Sequence, residues 1–138
     1  MLRALALALV TSCYSPSLTD CTITCGSSSP CPDDLSCGSD QFCHATAASP
    51  ACVATLNVTT NGAGNGRVTS MPDGVKCTTH SSDNCSSTFP LGTNVTLTAE
   101  HDYMTNFAHW SGDACNNSPN PTCMLTLDAS MGVQAIFH

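Results

Sequence analysis

Cysteine is the residue type with the widest chemical range in this chain. Eleven occur in 138 residues, and a thiol can form a disulfide, bind a metal, attack a carbonyl or carry a lipid. Their placement decides among these. Cys13 stands alone behind an apolar leader, whereas Cys21, Cys25, Cys31, Cys37, Cys43, Cys52, Cys77, Cys85, Cys115 and Cys123 make an even set. An even set behind an export leader predicts disulfides, because oxidising compartments preserve them. Zinc is the rival for the six cysteines between positions 21 and 52. No Cys-x-x-Cys occurs, and the gaps of 3, 5, 5, 5 and 8 residues lack the paired spacing of zinc sites.

The other reactive residues do not assemble into a catalytic set. Ser111 follows Trp110, but a nucleophile elbow needs Gly-x-Ser-x-Gly, and His109 and Asp113 occupy the glycine positions. His80, His101, Asp102 and His109 have side chains that bind Zn²⁺ or Cu²⁺. Only the eight-residue step from His101 to His109 argues for proximity, so solvated histidines are expected. The glycines at 62, 64 and 66 miss Gly-x-Gly-x-x-Gly because Arg67 takes the last place. Asp33, Asp34, Asp73, Asp83 and Asp113 form no EF-hand series. No enzyme activity, metal or cofactor is expected.

Three basic against ten acidic residues give a net charge of −7, with Arg67 and Lys76 the only basic residues after Arg3. Nucleic-acid binding needs clustered cations to displace phosphate counterions, so it is excluded as an expectation. Residues 1–12 read as a signal peptide: Arg3, an apolar run over 4–10, then small residues. That run is shorter than the roughly 20 residues a membrane span requires. Val-Thr-Ser-Cys at 10–13 resembles the lipobox of bacterial lipoproteins, with Val10 where leucine is usual. The resemblance implies an acylated Cys13 as the new N-terminus and a membrane partner through that lipid. Tyr14 is not acidic, which for such a lipoprotein implies the outer membrane or cell surface. Residues 13–20, with Ser15-Pro16-Ser17, would form a tether.

The elements that must position these residues fall into two regions. Residues 21–52 offer only Ile23, Leu35 and Phe42 as sizeable apolar side chains besides cysteine, too few for a core, so a disulfide-stapled module is expected. Six cysteines allow 15 pairings, which the sequence leaves open. A small-residue linker, 45–50, lies just before Cys52. Residues 53–138 show a period of two, the mark of half-buried strands. Val95, Leu97 and Ala99 alternate with Thr96 and Thr98, Leu125 and Leu127 with Thr126, and Val133, Ala135 and Phe137 with Gln134. Turns are expected at 61–66, at Pro72-Asp73-Gly74 as a type I turn, and at 128–132 as a hairpin. The expected core is Leu56, Val58, Val68, Phe89, Val95, Leu97, Phe107, Trp110, Leu125, Leu127, Val133 and Phe137. Phe107 and Trp110 would face opposite sides of a regular strand, so a bulge or strand end must turn Trp110 inward. Equal spacings favour local clasps from Cys77 to Cys85 and from Cys115 to Cys123.

The ordered motifs carry a resemblance. Gly-Asn-Gly-Arg-Val-Thr-Ser at 64–70, Gly-Thr-Asn-Val-Thr-Leu-Thr-Ala at 92–99, Phe-Ala-His-Trp-Ser-Gly at 107–112 and Val-Gln-Ala-Ile-Phe at 133–137 resemble the divergent internalin B-type repeat of bacterial surface proteins. His109 stands where that pattern has glycine. The resemblance, over about residues 56–138, implies a mainly β, strand-dominated domain related to β-grasp repeats, serving structure or interaction without catalytic residues. The whole layout also resembles secreted lipoproteins of myxobacteria.

The resulting expectation is a non-enzymatic, extracytoplasmic, lipid-anchored cell-envelope protein that binds an unidentified protein or polysaccharide or gives structural support. The alternative is a soluble, secreted, ligand-binding or inhibitor-like disulfide-rich protein. In a eukaryotic host, Asn57, Asn84 and Asn94 would begin glycosylation triplets.

Overall fold

The computed structural model describes residues 21–45 and 51–138. The expected leader, the lipidation site Cys13, the tether and residues 46–50 of the linker lie outside them. The described chain is mainly β and rich in disulfides, with a cysteine cluster at its N-terminal side.

The cysteine cluster contains one short hairpin, β1 (Ser36–Cys37) with β2 (Cys43–His44), extended by an isolated bridge between Thr24 and Phe42. Cys25–Cys37 and Cys31–Cys43 cross-link it internally, and Cys21–Cys52 closes it onto the start of the next strand.

Eight strands follow: β3 (Val53–Gly62), β4 (Gly66–Met71), β5 (Lys76–Thr78), β6 (Ser86–Pro90), β7 (Thr93–His101), β8 (Phe107–Gly112), β9 (Thr122–Leu127) and β10 (Met131–Phe137). They form two four-stranded sheets, ordered β6-β3-β10-β8 and β5-β4-β7-β9. The alternation explains why they face each other. Leu56, Val58, Val133, Ala135, Phe137 and Trp110 of the first sheet pack in one cluster with Val68, Val95, Leu97, Leu125 and Leu127 of the second. Thr96, Thr98, Asn57 and Gln134 alternate outward. Each inward side chain removes apolar surface from water, at about 25 cal/mol per Å². The arrangement is a two-sheet sandwich, and no helix occurs among the described residues.

Two turns differ from the sequence expectation. The segments after β3 and after β9 do not close hairpins, because β3 and β10 lie in one sheet while β4 and β9 lie in the other. Local turn residues signal a reversal but not which sheet the chain enters next. At the third turn the Met71–Pro72 peptide is cis. That β4–β5 hairpin is closed by the Ser70 hydroxyl, which accepts the Val75 N–H at 2.9 Å and donates to the Pro72 carbonyl at 2.7 Å.

The last strand returns beside the first one of the sandwich. β10 pairs in parallel with β3 over seven positions, from Met131 opposite Leu56 to Phe137 opposite Gly62. Glycine is required at that end: Gly62 has φ +100°, and a Cβ there would stand 1.9 Å from the Phe137 carbonyl oxygen.

Trp110 is completely buried. A register shift between β8 and β10 sets Phe137 opposite Phe107 but Ile136 opposite His109, leaving Ala108 as an extra residue. That bulge lets Phe107 and Trp110 meet, with ring centroids 5.2 Å apart. The indole N–H donates to the Asn120 carbonyl at 2.8 Å, so its polar group is satisfied inside the fold. Cys77–Cys85 and Cys115–Cys123 each close an eight-residue separation.

Candidate functional site

The most densely connected polar group in the described chain is one that sequence reasoning missed: Asp40 with His44 at the joint between the cysteine module and the sandwich. Asp40 lies in the turn between β1 and β2, and His44 ends β2. Their side chains are only 8 % and 7 % exposed. The Asp40 carboxylate accepts the Cys52 N–H at 2.7 Å and the Phe42 N–H at 3.2 Å, and His44 Nε2 lies 3.0 Å from both of its oxygens. These donors hold its carboxyl well below the usual value of 3.8, at about 2, the Cys52 N–H contributing most and the His44 hydrogen bond next. A carboxylate only accepts, so Nε2 carries the proton that it donates. Nδ1 of His44 then faces the interior with no hydrogen-bond partner.

The turn closes tightly over the pair at Gly38. A Cβ on Gly38 would come within 2.5 Å of Asp40 Oδ1 and 2.7 Å of His44 Cδ2, so glycine is needed for the turn to fold over the pair. Cys52 is anchored through both backbone groups, its N–H to Asp40 and its carbonyl to the Leu91 N–H at 2.9 Å. A cleft of about 270 Å³ opens beside it, lined by Thr24, Asp40 and Phe42 on one side and Pro90, Leu91 and Gly92 on the other.

Two kinds of chemistry fail on this geometry. Cys52 Sγ lies 4.0 Å from His44 Nε2, the same nitrogen that Asp40 engages. A nucleophile–base–acid relay needs the two ring nitrogens to face different partners, so the three residues do not make one. The oxygen, nitrogen and sulfur atoms of Asp40, His44 and Cys52 lie within 4.8 Å of one another, as do the sulfurs of Cys25, Cys31 and Cys37. Every one of those sulfurs is in a disulfide, and a metal ligand must be a thiolate. The joint is a fastening built from a buried carboxylate.

The residues weighed from the sequence are scattered. His80 Nε2 pairs with Asn65 Oδ1 at 3.0 Å, and His101 Nδ1 lies 3.3 Å from the Asp102 carbonyl. His109 is half-buried in β8, and Ser111 pairs across to Gln134. Asp113 accepts the Gly132 N–H at 2.8 Å. Arg67 pairs with Glu100, and Lys76 lies 3.3 Å from Asp73.

A second candidate lies at the far end of the sandwich, between β7 and β8. Tyr103 and Met104 are 91 % and 88 % exposed. They are the centre of a tight turn closed by the Thr105 N–H on the Asp102 carbonyl at 3.2 Å. Met104 has φ +68°, where glycine is favoured, which costs about 1–2 kcal/mol. The turn is pinned by the Thr105 hydroxyl on the Asn65 carbonyl at 2.7 Å and by the Asp102 N–H on the same oxygen at 3.0 Å. Comparison with protein-family models, with curated proteins and with solved structures finds no match to this chain.

Proposed function

We propose that this chain is a secreted, disulfide-stapled binding protein that works by presenting a rigid surface. The observation that carries this reading is the Tyr103–Met104 turn. Two large apolar side chains project into water from a backbone fixed by hydrogen bonds and held in a conformation methionine disfavours. Strain retained at an exposed position points to use of that position, and a pre-ordered aromatic contact binds without a large ordering cost. The resemblance of the ordered motifs to internalin B-type repeats supports an interaction role at a bacterial surface, with a protein or polysaccharide as ligand. The test is a binding screen of the purified protein against polysaccharides and surface proteins of the producing cell. Binding lost in a Tyr103→Ala/Met104→Ala variant that keeps its melting temperature supports the reading. Binding unchanged in that variant removes the turn from the site.

A second reading has its own support. The ten cysteines of the described chain close on one another, so none requires Cys13, which follows a lipobox-like triplet. In this reading Cys13 is acylated and the protein is held at the outer membrane or cell surface. Labelled palmitate incorporated by the wild type and lost in Cys13→Ala supports it. An unmodified chain recovered from the medium favours the soluble form.

A further inference from the structure

We infer that this chain is built to carry tension between the segment that precedes Cys21 and the opposite end of the sandwich. The inference goes beyond the binding role and requires only that different bodies hold the two ends. What holds the N-terminal side, lipid or protein, is a separate question with its own labelling test.

The route of the force is covalent at its start. Cys21–Cys52 brings the incoming chain to 5.4 Å, Cα to Cα, from the residue that precedes β3, across a sequence separation of 31. A pull on the N-terminal side therefore passes through the sulfur atoms into β3. The rest of the cysteine module lies on a loop outside this path.

The force must leave β3 through its neighbours. β3 and β10 are parallel and paired over seven positions, and both are interior strands of the sheet β6-β3-β10-β8. Tension that enters at the Val53 end of β3 and leaves at the Phe137 end of β10 pulls the two strands in opposite directions along their length. In that geometry the strands slide, and all the interstrand hydrogen bonds must fail together. Pulled apart from one common end, the same bonds would open in succession, each at a small force. The exit end is fastened too: Asn106 and His138 exchange backbone hydrogen bonds of 2.6 and 2.8 Å, and the Gly64 N–H donates to the Phe137 carbonyl at 3.1 Å. The Tyr103–Met104 turn lies at this same end, beside Asn106, so a ligand held there would load the structure along the resistant direction.

Single-molecule force spectroscopy tests the inference on the full chain, carrying Cys13→Ser and peptide-tag handles at its two termini. Rupture is expected at a severalfold higher force than when the second handle is moved to Ala129, in the exposed connection before β10, which peels β10 from its Met131 end. Equal forces in the two geometries overturn the proposal. A Cys21→Ser/Cys52→Ser variant keeps Cys25–Cys37 and Cys31–Cys43 closed and leaves a shortest covalent path of roughly 19 residues, so roughly 60–70 Å of slack should appear before the main rupture. Absence of that slack overturns the bypass. If the variant does not fold, the comparison of handle positions on the disulfide-intact chain decides alone.

Discussion

Residues 21–45 and the sandwich use cysteine to solve opposite problems. In the first region the buried residues are Cys25, Phe42, Cys43 and His44, so half-cystines supply two of only four interior positions and apolar burial is slight. The three bonds close separations of 31, 12 and 12 residues. On a chain-entropy model they contribute about 3.7, 2.8 and 2.8 kcal/mol by restricting the unfolded chain. In the sandwich one apolar cluster spans both sheets, and Cys77–Cys85 and Cys115–Cys123 join it at its margin, each contributing one buried strand cysteine, Cys77 or Cys123, while clasping a loop. The contrast shows that cysteine density reports where solvent-driven burial runs out. Where apolar alternation is available, a clasp adds to a fold; where it is missing, the clasps are the fold.

The strongest way to break this comparison is to replace the six cysteines of the first region with serine. That removes on the order of 9 kcal/mol of loop-closure stabilisation. Amide exchange protection should vanish over residues 21–45 and persist in β3, β7 and β10; joint loss in both regions would show that the sandwich depends on the module. Trp110→Ala attacks the other side. It should destabilise the sandwich by about 3–5 kcal/mol in denaturant titration, with the N-terminal disulfides still formed by peptide mapping. Removing one clasp, as Cys77→Ser/Cys85→Ser, should cost about 2.5 kcal/mol and leave the sandwich folded.

Acid probes the joint between the regions. Asp40 has its carboxyl lowered in the folded state from 3.8 to about 2. Its contribution is therefore complete above the unfolded value and is lost as pH falls from about 4 through 2. Melting followed across that interval should show an added loss of stability in the wild type that is absent in Asp40→Asn. The smallest effect is expected from Met104→Gly, which relieves the positive φ against glycine's entropy cost and should stabilise by about 0.5 kcal/mol. A destabilised variant would mean that the exposed methionine contributes packing of its own.

The β character of the larger region was readable because a period of two is local: Val95, Leu97 and Ala99 declare their shared face without knowledge of the partner strand. The bulge at Ala108 was readable as a conflict, since Phe107 and Trp110 could not both be core on a regular strand. The sheet assignment was not. Whether the segment after Leu127 turns back or crosses over depends on which distant strand pairs with β10, and parallel pairing with β3 leaves no mark in the turn. Asp40 and His44 were silent for another reason. In a coil with no periodic pattern, a carboxylate that accepts two backbone N–H groups looks like any solvated aspartate. The one available signal was Gly38 followed by a short polar turn into Phe42-Cys43-His44.

The scarcity of cations has a consequence for proteolysis. Beyond Arg3, a trypsin-like protease has only the bonds after Arg67 and Lys76 to attack. Arg67 lies within β4, hydrogen-bonded to β5 and β7, and Lys76 opens β5 against Thr69. To seat either bond in a protease cleft, the β5-β4-β7-β9 sheet must first open. The digestion rate then follows the population of that opened form, and the intact molecule should outlast proteins with basic loops in a trypsin digest.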